Sequence, residues 1–289
     1  MKPPSFDYLR ASSLDEVWNA LNRDDDVKVI AGGQSLVPLL SLRLASPSLL
    51  VDITQLKELM GISCDSNVLR IGALTRHTTV EKHPLIVAQA PLLAQAASWV
   101  AHPQIRNRGT LGGAVAHGDS AAEFPAALLA LDATIIAWSR GGERRIPAPN
   151  FFEAYFTTAL AHDELLAAVE LPVGRAGATW GFEEFARRRG DYAIGGAAVY
   201  AERGGDGVCR AVRAGLLAAG PAPCLAPGLA ESMVGRVVDA HLIDCAVAAA
   251  LGQLTPGANV HGGSEYRRAV IGEMLRRALA SAFELGEVA

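Results

Sequence analysis

The residues most able to do chemistry in this chain are glycines rather than acids, bases or nucleophiles. Gly109 to Pro125 reads GTLGGAVAHGDSAAEFP, and Ala31 to Ser35 reads AGGQS. Glycine has no Cβ, so successive backbone N–H groups can converge on phosphate oxygens. AGGQS alone is equally an ordinary tight turn, because glycine pairs are common there. The longer stretch is less ordinary: a loop of about fifteen small residues inside a compact domain usually has a functional reason. Together the two segments predict a split cradle for the diphosphate of a dinucleotide. Neither contains Gly-x-Gly-x-x-Gly, which sets the Rossmann pattern aside.

The remaining residues offer no competing chemistry. The chain has no His-Glu-x-x-His, no Gly-x-Ser-x-Gly and no Walker lysine loop. Its four cysteines, Cys64, Cys209, Cys224 and Cys245, are scattered without a Cys-x-x-Cys pair. They fit neither a zinc ribbon nor an iron–sulfur motif, and are expected to be reduced and semi-buried. Reactive chemistry is therefore expected from a bound cofactor. The net charge of −4 lacks the basic excess of a nucleic-acid binder. No apolar run approaches the roughly 20 residues that span a bilayer. The opening MKPPSFDYLR has no signal-peptide core, so the expected location is the cytoplasm.

These segments need elements to position them. With 289 residues, half of them apolar, the chain predicts two domains, or one domain plus a smaller one. Residues 13–22 read as an amphipathic helix with Ser13 as N-cap and Glu16 completing a capping box. An acidic turn at Asp24–Asp26 leads into a strand at Val27–Ala31, which ends in the glycine turn and a short helix over 36–44. Further strands are expected at 49–53 and 68–72, with a helical turn at 56–60. Residues 78–100 are expected to be helical, divided by Pro84 and Pro91. A helix at 124–131, a strand at 133–138, a turn at 140–145, a loop with a helical turn at 147–156 and a strand at 164–171 follow. The glycine-rich stretch 172–179 is the expected domain boundary. Beyond it, strands at 180–188, 197–202 and 208–218 predict a three-stranded antiparallel meander. Helices are expected at 229–234, 242–251 and 266–283, the last with its arginines on the outward face.

The order of several short motifs carries a resemblance. They are Phe6-Asp7-Tyr8, AGGQSLVPLL at 31–40, TLGGAVAHGDSAAEFPAALLALDA at 110–133, Arg189-Gly190-Asp191-Tyr192-Ala193 and Glu265-Tyr266-Arg267-Arg268. Over essentially its full length the chain resembles the FAD-binding medium subunit of molybdenum hydroxylases. Its branch is the carbon monoxide dehydrogenase medium-subunit type, within the xanthine dehydrogenase family. The resemblance implies an α+β chain with a two-subdomain FAD-binding fold of the vanillyl-alcohol oxidase (PCMH) type, plus a smaller C-terminal domain. The division implied is residues 1–176, with subdomains of about 1–55 and 56–176, followed by 177–289.

The resemblance also implies a site. Ala31, Gly32, Gly33, Gln34 and Ser35 match one family segment around the FAD diphosphate, and Thr110, Leu111, Gly112, Gly113 and Ala114 match the other. Glu123 matches an acidic position on the cofactor's sugar part, although a helix N-terminal glutamate reads the same way. Leu165 matches an apolar position near the flavin, or is ordinary strand core. Tyr192 matches an aromatic near the isoalloxazine, or is a half-buried tyrosine on a turn. Two positions depart from the family pattern. Ala114 stands where many relatives carry Ser or Asn, which leaves only its backbone N–H, and Gln34 stands where the branch often has His. His117 and Asp119 read either as cofactor-adjacent or as loop-structuring, and Arg106 and Arg108 either as positive potential near the diphosphate or as surface residues.

The implied role is a flavoprotein electron-transfer subunit. In the family arrangement a large subunit carries molybdopterin and hydroxylates the substrate, and a small subunit carries 2Fe-2S clusters. Electrons pass from those clusters to FAD and on to an external acceptor. The implied assembly is a dimer of heterotrimers, with neither nucleic acid nor a transmembrane segment. No side chain of this chain is expected to act as a catalytic acid or base. The competing readings are a stand-alone flavin oxidoreductase and a non-enzymatic protein that retains the fold, against which the intact glycine segments argue.

Overall fold

The computed structural model describes residues 2–23, 26–175 and 177–285. The acidic turn read at 24–26 lies largely outside the described residues. The chain opens with β1 (Asp7–Arg10), α1 (Leu14–Leu21), β2 (Val27–Ile30), α2 (Leu36–Ser41) and β3 (Leu49–Asp52). The Ser13 hydroxyl accepts from the N–H of Glu16, and Glu16 in turn accepts from the N–H of Ser12, so the capping pair closes one residue further out than expected. The three strands form a parallel sheet in the order β1-β3-β2. Parallel neighbours need a crossover, and α1 and α2 supply the helices. The register sets Arg10 and Ile30 on either side of Asp52 at the carboxyl edge. Val17, Trp18 and Leu21 of α1 are buried on this sheet with Leu49 and Val51.

The middle of the chain runs through β4 (Ile62–Asp65), β5 (Val68–Gly72), α3 (His77–Lys82), α4 (Pro84–Gln89), α5 (Pro91–Trp99), α6 (Pro103–Arg106), α7 (Leu111–His117) and α8 (Glu123–Ala130). It continues with β6 (Thr134–Ser139), β7 (Gly142–Pro147), the hairpin β8 (Phe152–Ala154) and β9 (Thr157–Thr158), and β10 (Leu165–Pro172). Five of these strands make an antiparallel sheet in the order β4-β5-β10-β6-β7. Pro84 and Pro91 each occupy the first turn of a helix, where a missing N–H costs nothing, so they start α4 and α5. The turn read over 140–145 is confined to Arg140–Gly141, because residues 142–147 pair with β6.

The last part contains β11 (Ala178–Phe185), β12 (Gly195–Arg203), β13 (Cys209–Leu217), β14 (Cys224–Leu225), α9 (Leu229–Met233), α10 (Ala240–Leu251) and α11 (Ser264–Ala282). Its antiparallel sheet has four strands rather than three: the two-residue β14 pairs with Gly215 and Leu216, and so short a strand carries no alternation to read. Two further expectations change. Arg267 does not face outward on α11 but is buried, and Cys64 and Cys245 are exposed rather than semi-buried. The two halves meet where α8 packs on β13. A Cβ on Gly215 would stand 2.0 Å from the carbonyl oxygen of Ala126, so only glycine admits that contact.

Candidate cofactor-binding site

The site starts at the carboxyl edge of the first sheet. Strand β2 ends at Ile30, and Ala31–Ser35 turns into α2. Gly33 has φ +71°, a left-handed conformation that favours glycine. Gln34 folds back, its Nε2 donating to the Gly32 carbonyl at 3.0 Å. Among the described residues, the backbone N–H groups of Gly32, Gly33, Gln34, Ser35 and Leu36 have no protein acceptor. Ala31 through Leu36 are half-buried. These donors, at a glycine turn and the start of α2, are open to a ligand or to water. Their chemistry fits an anion of several oxygens, as a diphosphate is.

The second segment behaves differently. Residues 109–125 are not a long loop: Thr110 caps α7, its hydroxyl accepting from the N–H of Gly113 at 3.2 Å, and Gly118 ends the helix in the left-handed conformation. Its donors are largely taken. Leu111 donates to Thr75, Gly112 to Ala73 and Ala114 to Thr110. The N–H of Ala114 is thus bound within the helix rather than left over for a ligand. A Cβ on Gly32 would lie 2.3 Å from the Arg108 carbonyl oxygen, and one on Gly112 would lie 2.4 Å from Cβ of Ala73. These glycines let backbone pack on backbone, which is how the segments come together.

Charged groups border the junction. Arg76 donates to the Arg108 carbonyl. Burial lowers the Arg76 pKa, the charge of Arg108 lowers it further, and Asp52 opposes both. Asp52 accepts from the Tyr8 hydroxyl and, at 2.8 Å, from the N–H of Thr54. Burial pushes this carboxyl up, but Thr54, Tyr8 and Arg10 outweigh it and hold the group below the usual carboxylate range. A cavity of about 390 Å³ opens beside Arg76, lined also by Thr54, Leu74, Thr75 and His83. Neither glycine segment lines it, so the unpaired N–H run defines the site better than the cavity does.

The other candidates fall into three places. Glu123 begins α8, where burial pushes its carboxyl up to about 7; its own N–H opposes, Asp119 adds and Arg106 opposes. Tyr192 is 67 % exposed, and partial burial together with the charges of Asp119 and Glu123 raises its hydroxyl. The structure therefore gathers Asp119, Glu123 and Tyr192. Leu165 lies elsewhere, buried in the core between the first two sheets with Ile136 and Val51. Asp119 structures the turn between α7 and α8 by accepting from the N–H of Ala121 at 2.9 Å, and His117 stacks on Phe156 at 4.9 Å. Arg106 is a structural residue, bound to Glu81 at 3.0 Å and to the carbonyls of Val100 and Ala101, while Arg108 is exposed.

Comparison with known proteins shows the family of the chain. Residues 4–174 match the FAD binding domain in molybdopterin dehydrogenase, and residues 180–282 match the CO dehydrogenase flavoprotein C-terminal domain. The chain belongs to this family. It is a FAD subunit of the molybdenum hydroxylase type, an oxidoreductase component. This flavoprotein is 44 % identical to the 6-hydroxypseudooxynicotine dehydrogenase complex subunit alpha of Paenarthrobacter nicotinovorans, over 98 % of this chain and 96 % of that one. Its fold superposes on carbon monoxide dehydrogenase from Hydrogenophaga pseudoflava with a TM-score of 0.95 at 34 % identity, covering 98 % and 99 % of the two chains. Quinoline 2-oxidoreductase from Pseudomonas putida 86 gives a TM-score of 0.93 at 37 % identity, with the same coverage. No helix among the described residues of the flavoprotein is long and apolar enough to cross a membrane.

Two buried titratable residues, His77 and Glu184, carry no motif. His77 lies against the second segment: its Cε1 would be 2.6 Å from a Cβ on Gly109, and its ring meets Phe124 edge-on at 4.9 Å. Both ring nitrogens are buried and neither meets good hydrogen-bond geometry, although the Thr110 backbone lies close enough to act on the ring. Burial pulls its pKa down to about 4; the Thr110 backbone opposes this, and Arg106 and Arg76 add to it. Glu184 on β11 is the second. Neither carries a local pattern, so only tertiary burial identifies them.

Proposed function

We propose that the chain receives electrons from 2Fe-2S clusters on a partner subunit and passes them to an external acceptor. It would do so beside a large molybdopterin subunit and a small iron–sulfur subunit, in a dimer of heterotrimers in the cytoplasm. The observation that carries this reading is the run of unpaired, half-buried N–H groups from Gly32 to Leu36, aligned by contact with Arg108. FAD, when bound, supplies the redox chemistry.

The residues of this chain bind and orient. Ala31, Gly32, Gly33, Gln34 and Ser35 present donors to the diphosphate. Thr110, Leu111, Gly112, Gly113 and Ala114 form the facing wall, a short helix whose glycines let it approach closely. Glu123 accepts from a sugar hydroxyl, and the exposed ring of Tyr192 covers one face of the isoalloxazine. Leu165 supports the site from the core beneath. The flavin-binding half is assigned to residues 1–176 and the C-terminal half to 177–289. The clusters are assigned to a partner because the four cysteines occupy four different elements, β4, β13, β14 and α10.

The test is purification of the native complex. Flavin absorbance in this chain, with iron and molybdenum co-purifying on separate subunits, is the expected result. A purified complex with flavin but neither metal would instead favour a stand-alone flavin oxidoreductase.

A further inference from the structure

Helix α2 is apolar but hardly packed. It reads LVPLLS, and among its residues only Leu40 is buried. Val37 is 46 % exposed, Leu42 56 % and Leu44 73 %, and Pro38 is exposed as well. Pro38 and Leu42 are four residues apart and so share one side of the helix, and Leu44 is held to the last turn by the bond from its N–H to the Leu39 carbonyl. A helix this short does not persist in water on propensity alone. An exposed apolar cluster with polar residues around it marks an interaction site.

This face adjoins the cofactor turn. A Cβ on Gly33 would stand 3.2 Å from Cγ2 of Val37, so the face reaches the N–H run at 32–36. Whatever sits on α2 is therefore next to the group that the run holds. The charges at its two ends are of one sign. From Val27 to Val51 the chain has Lys28 and Arg43 but no Asp or Glu. Arg43 is exposed past the end of the helix and donates to the Lys2 carbonyl at 3.4 Å, which brings a second exposed cation there. Arg108 is exposed at the other end, its carbonyl against Gly32. Asp7 and Asp26 stand at the amino edge of the sheet, where the Ser48 backbone bonds to both. An apolar centre inside a charged rim is the anatomy of an interface, and a basic rim selects an acidic partner.

We propose that the exposed face of α2 is the docking surface of the iron–sulfur partner, which meets it with an apolar patch rimmed by carboxylates. Seated there, the partner is adjacent to the dinucleotide, as an electron donor has to be because transfer slows steeply with distance. The inference rests on the reading that FAD receives its electrons from 2Fe-2S clusters on a separate subunit. A second copy of this chain fits the face less well, because a two-fold contact would set one basic rim against another.

The test is purification of the native complex with Leu42→Asp and Leu44→Asp combined in this chain. Both residues are exposed and lie beyond the N–H run, so this variant should fold and keep the wild-type flavin-to-protein ratio. Its iron-to-flavin ratio should fall at least about tenfold, because two carboxylates in an apolar contact disrupt it. Arg43→Glu should lose iron in a low-salt wash, and its difference from the wild type should shrink as salt is raised. If the double variant is short of flavin or melts early, Arg43→Glu alone decides. Full iron in the variants, from a wild-type complex that contains iron, overturns the docking surface and leaves the electron-transfer reading standing. Loss of molybdenum with iron retained, or conversion of a homodimer to a monomer with iron retained, gives the face to another occupant and overturns it too. A wild-type complex without iron fails the electron-transfer reading itself, and this inference with it.

Discussion

Gly32 and Arg108 touch through their backbones: a Cβ on Gly32 would stand 2.3 Å from the Arg108 carbonyl oxygen. Backbone cannot swing aside as a side chain can, so Gly32→Ala must push the two segments apart. Overpacking of this kind costs about 1–3 kcal/mol. Purified Gly32→Ala should lose most of its FAD and melt several degrees lower. Wild-type flavin content in that variant would show that the contact is not needed to align the donors.

Gly33 and Gly112 make a matched pair with different reasons. Gly33 needs its positive φ, whereas Gly112 needs the space occupied by Ala73. Gly33→Val should yield a folded chain with little flavin, because the strain falls on the turn that aims the N–H run. Gly112→Val should lower both flavin content and thermal stability, since it separates α7 from Ala73. Flavin-to-protein absorbance ratios beside melting curves test both, and normal flavin content in each would remove the two-segment site.

Tyr192 is exposed on the turn between β11 and β12, near Asp119 and Glu123. If it covers the isoalloxazine, Tyr192→Ala should retain FAD and change the rate at which reduced flavin is reoxidised. Stopped-flow traces with several acceptors measure this directly. Rates equal to wild type with every acceptor would exclude a gating role.

Much of this fold is legible in the sequence. The strand at 68–72 has the expected bounds, and the two prolines that divide the 78–100 helical region do start α4 and α5. Strands β1 (DYLR), β4 (ISCD) and β14 (CL) are not legible, because they lack the Val-, Ile- and Leu-rich run that marks the short strands β2 and β3. The second segment was misread as loop, since its glycines and alanines mask a helix defined by its Thr110 cap and Gly118 stop. The motif matches single out both segments but not which of their N–H groups stay unpaired. Which N–H groups stay free depends on the acceptors Thr75 and Ala73, more than 35 positions upstream of Leu111 and Gly112. His77, Glu184 and Arg267 depend on burial in the same way.

His77 yields a pH prediction with a definite sign. Its folded pKa, about 4, lies below the ordinary 6.5, so the unfolded chain binds more protons between those values. Stability is therefore full above about pH 6.5 and falls as the pH drops toward 4, by roughly 3 kcal/mol in total on an order-of-magnitude basis. His77→Phe, which keeps the ring contact with Phe124, should flatten this part of the stability curve. Denaturant midpoints measured from pH 4 to pH 7 decide the matter, and parallel curves for the two proteins would refute it.

Arg267 lies within the Glu265-Tyr266-Arg267-Arg268 motif and is 8 % exposed, while Arg268 beside it is exposed. Its guanidinium reaches the carbonyls of Ile194, Gly257 and Ala218, three separate loop or strand-end positions. The Ala218 N–H in turn donates to the Ser120 carbonyl, which ties this hub to the turn between α7 and α8. A planar fork of five donors can serve three carbonyls at once, and an ammonium on a flexible stem cannot. Arg267→Lys should therefore destabilise the chain by roughly 1–3 kcal/mol, and Arg267→Ala by more, because buried carbonyls lose their donors. Arg268→Ala, on the exposed side, should change stability by less than about 0.5 kcal/mol. Urea unfolding of the three variants tests the ranking; equal effects at 267 and 268 would mean that the buried fork does not hold the C-terminal half together.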